Sequence, residues 1–188
     1  MTKENIIVAV VGLCGAGKSE ATQVFIENNF KKVYFGDVTF DEMKRQGLEV
    51  NPQNERKIRE ELRATSDMAI YAKKSEPKIK AFYNSGENVV VESLYSWSEY
   101  KYLKEIYKNK FKLLAIVTDR DLRAKRLKTR EYRPLTDEEV TTRDYTEIEN
   151  IEKAGPIAIA DHFIVNNDDM NNLRDKVQQY INELLGNV

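Results

Sequence analysis

The sequence predicts an α/β fold: a three-layer sandwich in which a five-stranded parallel sheet lies between helices. Two features lead to it. Five short apolar, β-branched runs alternate with helical segments along the 188 residues, the pattern of parallel strands joined by crossover helices. The first run passes without a spacer into Gly12-Leu13-Cys14-Gly15-Ala16-Gly17-Lys18-Ser19, which satisfies every fixed position of the phosphate-loop pattern G-x-x-x-x-G-K-[ST]. There is no repeat, low-complexity linker or shift in composition, so residues 1–188 are expected to form a single P-loop domain.

Residues 6–11 are continuously apolar, as a central strand covered on both faces requires. A helix is expected near residues 20–28, and a short strand at 33–35 ending on Gly36-Asp37. Asn51-Pro52 reads as N-cap and first helical residue. The helical stretch that follows is expected to break at Pro77 and to stop near Gly86. Residues 89–91 and 113–117 read as buried strands, 99–109 and 119–129 as helices. Thr136 stands three residues before Glu139, a capping box opening another helix. Residues 162–165 read as the last strand. Leu173, Val177, Ile181 and Leu184 then mark one apolar stripe of a final helix. In such a sheet, ligands bind beyond the carboxyl ends of the strands.

Composition narrows the function. Thirty basic residues face 31 acidic ones, so no net field draws the molecule to nucleic acid or to an anionic membrane, and neither is expected as a partner. One cysteine, Cys14, excludes an intramolecular disulfide, and with a single histidine it disfavours structural zinc. No leader pattern precedes the first strand, and no apolar run approaches the roughly 20 residues of a membrane span. A reduced, cytoplasmic protein is expected.

The phosphate loop carries the chemistry. Its glycines let the backbone turn and approach phosphate oxygens without Cβ clashes. The freed N–H groups and the positive end of the next helix then favour an anion. Gly12, Cys14, Gly15, Ala16, Gly17, Lys18, Ser19 and Glu20 are expected to contact ATP. Lys18 would reach the β- and γ-phosphates, and the Ser19 hydroxyl would ligate Mg²⁺. Cys14 reads as a small loop residue.

Further along, four stretches carry a family resemblance: 34–37 with Gly47-Leu48, 89–93, 122–130 and 160–166. In this order they resemble the nucleoside monophosphate kinase and dephospho-CoA kinase group. The likeness is greatest to an uncharacterised, largely archaeal branch grouped with dephospho-CoA kinase. It implies a helical lid near 131–143 and acceptor-binding helices near 37–86. It also implies that Arg126 stacks on adenine while Arg130, Arg133 and Arg143 contact phosphates. Arg126 and Arg130, four apart, share a helix face; a solvated, salt-bridged face with Asp119, Asp121 and Glu131 is the plainer reading. By the same resemblance Glu92, ending the third strand, holds water on Mg²⁺; as an alternative it is a helix N-cap.

The acceptor side departs from the pattern. Where monophosphate kinases carry two phosphate-clamping arginines, this chain has Phe40 and Tyr95. Either the acceptor offers a hydroxyl, as dephospho-CoA does, with Asp37 as base, or Arg56, Arg59 and Arg63 supply the clamp from one helix face. Paired with Glu55 and Glu60, that row is equally a solvent face. The resulting expectation is an ATP- and Mg²⁺-dependent phosphotransferase. Its acceptor is a nucleotide-like small molecule bound near Asp37, Phe40, Arg59, Arg63 and Tyr95. A monophosphate kinase and a non-catalytic nucleotide switch are the alternatives, and an RNA-associated ATPase is opposed by the balanced charge.

Overall fold

The computed structural model describes residues 5–65 and 67–186. Five strands form one fully parallel sheet: β1 (Ile7–Val11), β2 (Lys31–Tyr34), β3 (Val89–Glu92), β4 (Phe111–Val117) and β5 (His162–Val165). Their spatial order is β2-β3-β1-β4-β5, with Ala9 level with Val91 on one side and Leu113 on the other. The expected fold is the one observed.

The apolar character of β1 has a simple cause. Side chains alternate faces along a strand. Ile7, Ala9 and Val11 enter one core, with Val33, Val91, Leu113 and Ala115. Val8 and Val10 enter a second, with Val90, Leu114, Ile116 and Ile164. The first core is covered by helices α2 (Asp37–Arg45), α3 (Pro52–Thr65), α4 (Ile70–Asn84) and α5 (Trp97–Tyr107). The second is covered by α1 (Lys18–Glu27) and α9 (Met170–Leu185), whose stripe of Leu173, Val177 and Ile181 is buried there. With both faces covered, a polar residue in β1 would be stranded. The edge strands are different: β2 begins on exposed Lys31 and Lys32, which discourage pairing with another sheet.

Beyond β4 follow α6 (Arg120–Thr129), α7 (Asp137–Glu149) and the short α8 (Ala154–Ala158). The capping box at Thr136 forms as expected, with the side chains of Thr136 and Glu139 each accepting the other's backbone N–H. A second box, Ser96 with Glu99, opens α5. The helical break lies elsewhere than expected. α4 runs through Pro77, and the interruption falls between α3 and α4, where Asp67 Oδ1 accepts the Ala69 N–H. Pro77 and Lys73 both lie on the solvent face of α4, so water can hydrate the Lys73 carbonyl that the proline leaves without a donor.

A candidate active site at the end of the first strand

The loop between β1 and α1 requires glycine where it is tightest. Gly12 has φ 147°, and a Cβ there would lie 2.3 Å from the Ile116 carbonyl oxygen. Gly17, at φ 102°, leaves room for Asn166, whose Nδ2 would be 2.4 Å from an added Cβ. Asn166 Nδ2 donates to the Ala16 carbonyl at 2.8 Å, tying the end of β5 to the loop. Lys18 folds back over this loop, its ammonium donating to the Leu13 carbonyl at 2.9 Å. Burial, then the nearby charge of Lys153, pulls the Lys18 ammonium down to about 7. An anion arriving in the loop relieves that strain. The cavity in front measures about 580 Å³ and is lined by Cys14, Lys18, Glu92, Tyr95, Arg126 and Arg130 among others.

Ser19 and Glu92 meet at the cavity floor, where Ser19 Oγ donates to Glu92 Oε1 at 3.4 Å. Lys32 Nζ sits 2.7 Å from the other carboxylate oxygen. After β3 the chain turns sharply at Ser93, φ 70°, a conformation disfavoured for a residue with a Cβ. Its hydroxyl accepts from Tyr95 Oη at 3.1 Å, directing the Tyr95 ring into the cavity wall. Glu20, also on the wall, pairs with Arg174 of α9.

The arginines after β4 divide by partner. Arg126 donates to the Asn166 and Asp168 carbonyls, both at 3.0 Å, and so holds the loop after β5 against the cavity. Arg130 lines the cavity and donates to the Arg133 carbonyl. Arg133 itself is not on the cavity wall; its guanidinium lies 3.4 Å from Glu55 of α3 and over the Tyr132 ring. Arg143 Nε donates to Glu147 at 3.2 Å. One further arginine has an architectural part. Arg123, 4% exposed, makes a two-pronged pair with Asp144 at 2.9 and 2.8 Å and donates to the Cys14 carbonyl at 3.1 Å. This joins α6, α7 and the phosphate loop. Asp144→Ala is expected to destabilise the protein by about 3–5 kcal/mol in urea unfolding, because it leaves a buried guanidinium without its counter-charge.

On the acceptor side the structure separates what the sequence grouped. Asp37 opens α2 with its carboxylate 3.3 Å from Lys78 Nζ. Phe40, one turn later, is exposed. Arg56 pairs with Glu60 at 2.8 Å on the solvent face, and Arg59 pairs with Glu55 at 3.3 Å. Arg63 turns inward, 4.8 Å from the Tyr71 ring centroid, and its buried Nε has no partner among the described residues. The row is therefore not a single clamp.

Glu99 is fully buried beneath Tyr95, its Oε2 accepting the Tyr95 and Ser96 N–H groups at 2.6 and 2.9 Å. Burial pushes this carboxyl up to about 7, against those bonds and the charges of Arg63 and Lys153. The folded chain then holds a proton that the unfolded chain releases above its ordinary value near 4.5. Stability tied to Glu99 is thus fully present below that value and lost as pH rises through 7, by up to about 3 kcal/mol. Glu99→Gln, which keeps the acceptor oxygen and cannot ionise, is expected to gain stability relative to wild type between pH 5 and pH 8. Urea titrations at the two pH values measure it; parallel shifts in both proteins would remove the effect.

Several site residues escaped sequence reasoning. Lys32 comes from an edge strand with no motif of its own, and Asn166, though it closes the 160–166 stretch, gives no sign in sequence of its bond to the loop. Glu147 lies four residues after Arg143, a spacing that suggests a pair but not its reach to the loop, where Oε2 accepts the Cys14 N–H at 3.3 Å. Lys153 stands before α8, a helix too short to read, and is 2% exposed. Its ammonium lies 2.9 Å from Glu147 and 4.2 Å from the Tyr95 ring centroid.

A glycine loop at the carboxyl end of a central parallel strand, a half-buried lysine and a serine–carboxylate pair together define a P-loop domain of kinase-like fold. The chain belongs to the AAA domain family, whose profile matches residues 8–154. It is similar to the UPF0200 protein of Thermococcus gammatolerans, 28% identical over 183 residues that cover 96% of each chain. Among solved structures, the shikimate kinase of Bacteroides thetaiotaomicron superposes with a TM-score of 0.62 at 16% identity, covering 96% of this chain and 98% of that one. The dephospho-CoA kinase of Campylobacter jejuni gives 0.56 at 18% identity, covering 97% and 99%. These likenesses establish the P-loop kinase fold. Among the described residues, no helix is long and apolar enough to cross a membrane.

Proposed function

We propose that the protein is an ATP-dependent kinase that transfers the γ-phosphoryl group to a hydroxyl of a nucleotide-like small molecule, in the manner of dephospho-CoA kinase. The observation that carries this reading is the convergence of Lys18, Arg130 and the Ser19–Glu92 pair on one cavity. Phosphoryl transfer needs little beyond positioning and cations around the migrating charge. Loop amides and Lys18 hold the triphosphate, and Arg126 positions the loop that would border the base. Segment 131–143, with Arg133 and Arg143, acts as a lid that excludes water.

The oxygen donors present suit Mg²⁺. One hydroxyl and one carboxylate leave the remaining positions to water and phosphate oxygens, the usual arrangement for this ion. Ser19 and Glu92 would hold it, and when bound it neutralises charge on the β- and γ-phosphates. Lys32, now against Glu92, supplies a positive charge to the same carboxylate.

The acceptor lies on the α2–α4 side, with Asp37 taking the hydroxyl proton and Phe40, Arg59, Arg63 and Tyr95 bordering the bound molecule. Shikimate kinase and dephospho-CoA kinase, the structural neighbours named above, have small-molecule acceptors in their names, which supports this class. The deciding experiment is an ATP-consumption screen against dephospho-CoA, nucleosides, and ribo- and deoxyribonucleoside monophosphates. A hydroxyl acceptor should stimulate turnover. Stimulation confined to monophosphates would replace this reading with a monophosphate kinase, and nucleotide binding without turnover would leave a switch protein.

A further inference from the structure

We propose that Lys153 is a second phosphate-binding lysine of this site, and that the Glu147 carboxylate occupies its phosphate position in the nucleotide-free protein. The assignment rests on the kinase reading above and adds to it a residue that contacts the terminal phosphoryl group.

A single oxygen provides the starting point. Glu147 Oε2 accepts both the Cys14 N–H of the phosphate loop, at 3.3 Å, and the Lys153 ammonium, at 2.9 Å. The other oxygen accepts Arg143 Nε at 3.2 Å. A loop amide, a lysine and an arginine gathered on one small anion are the donors that bind a phosphoryl group. Here a side-chain carboxylate receives all three.

Position points to the outer end of the triphosphate. The amides at the start of α1 serve the inner phosphates, as in phosphate loops generally. Cys14 lies before them. Lys153 Nζ is over the ring of Tyr95, which shares the cavity wall with Lys18 and Cys14. Lys153 is thus held between Glu147, which also bonds the loop at Cys14, and the Tyr95 ring.

The charge balance agrees. Arg143 and Lys153 both bind the Glu147 carboxylate, and Lys153 repels Lys18 nearby. Lysine is seldom buried to 2% exposure without full compensation. A structural pair would need only one cation for Glu147. The surplus positive charge becomes favourable once a terminal phosphate enters and Glu147 gives up its partners.

The two ends of this ion pair should therefore act in opposite directions. Calorimetry with Mg²⁺ would compare ADP with the non-hydrolysable β,γ-imido analogue of ATP in three proteins: wild type, Lys153→Met and Glu147→Gln. Lys153→Met is expected to weaken the ATP analogue at least tenfold and ADP less than threefold. Glu147→Gln, which removes the competing charge, should tighten the ATP analogue several-fold with ADP unchanged. An ordinary structural pair predicts equal losses for both nucleotides in both variants, and that result would overturn the proposal. If Lys153→Met fails to fold, the Glu147→Gln ratio decides alone: tightening confined to the ATP analogue sustains the proposal, and an unaltered or lowered preference ends it. Wild type that binds neither nucleotide would instead sink the underlying phosphate-loop reading, which ADP binding by wild type upholds.

Discussion

Lys18→Ala is expected to lower acceptor-dependent ATP turnover by about 10³-fold or more, while the melting temperature stays level or rises. Both halves come from one geometry. The ammonium is aimed into the loop, donating to the Leu13 carbonyl at 2.9 Å. Charge stabilisers preorganised at a phosphoryl group contribute factors of about 10²–10⁵ to rate. In the nucleotide-free state, however, the same charge is costly. Burial and Lys153 disfavour it, so deleting it relieves the resting fold instead of weakening it. Turnover in a coupled assay, alongside a thermal melt, tests the two together. Near-normal turnover would end the assignment of Lys18; a large loss of stability would show that it is chiefly a packing residue.

Asp37→Asn carries the second large effect, a fall of about 10²–10⁴ in kcat with the acceptor KM changed little. An amide of the same shape still hydrogen-bonds to an incoming hydroxyl but cannot take its proton, and general bases contribute factors of that size. The position is suitable: Asp37 begins α2, half-exposed, with Lys78 at 3.3 Å as its close partner. Burial raises the phenol of Tyr34 on the cavity wall, with Tyr95, Glu92 and Asp37 adding to it in that order. An accepting phosphate needs no such base. A rate within threefold of wild type would therefore dismiss Asp37 as base and turn attention to a phosphate acceptor, for which Lys153 and Arg63 offer cations.

Phe40 and Tyr95 stand where the family resemblance implies two clamping arginines, and their identity favours a hydroxyl acceptor. Yet a buried ammonium lies 4.2 Å from the centre of the Tyr95 ring. Positive charge beside Tyr95 is thus brought by a residue 58 positions further along the chain. Charge at a site is a property of volume, and scanning single positions undercounts it.

What could be read from residue order was whatever depends on neighbours in the chain. The phosphate loop belongs here, since Gly12, Gly17, Lys18 and Ser19 act through consecutive backbone torsions and the start of one helix. So do the alternation that buries β1 on both faces, the Thr136 capping box and the stripe of α9. Elements whose limits depend on distant packing were read less well. Pro77 reads as a break because its missing N–H is a local fact, whereas its exposure on α4, which makes that loss tolerable, is set by how α4 lies on the sheet.

Partner choice was the part that residue order left open. Arg126, Arg130, Arg133 and Arg143 all read as cationic and within reach of a lid, but only folding sends Arg133 to Glu55, 78 residues back, whereas Arg143 keeps the local partner Glu147. The Arg123–Asp144 pair and the meeting of Lys153, Glu147 and Cys14 arose in the same way, as burial removed water and left each charge to find a counterpart across the chain. Desolvation is shared among everything that closes over a group. The strength and identity of these contacts therefore emerged with the packed sheet and its helices, and no stretch of sequence contained them alone.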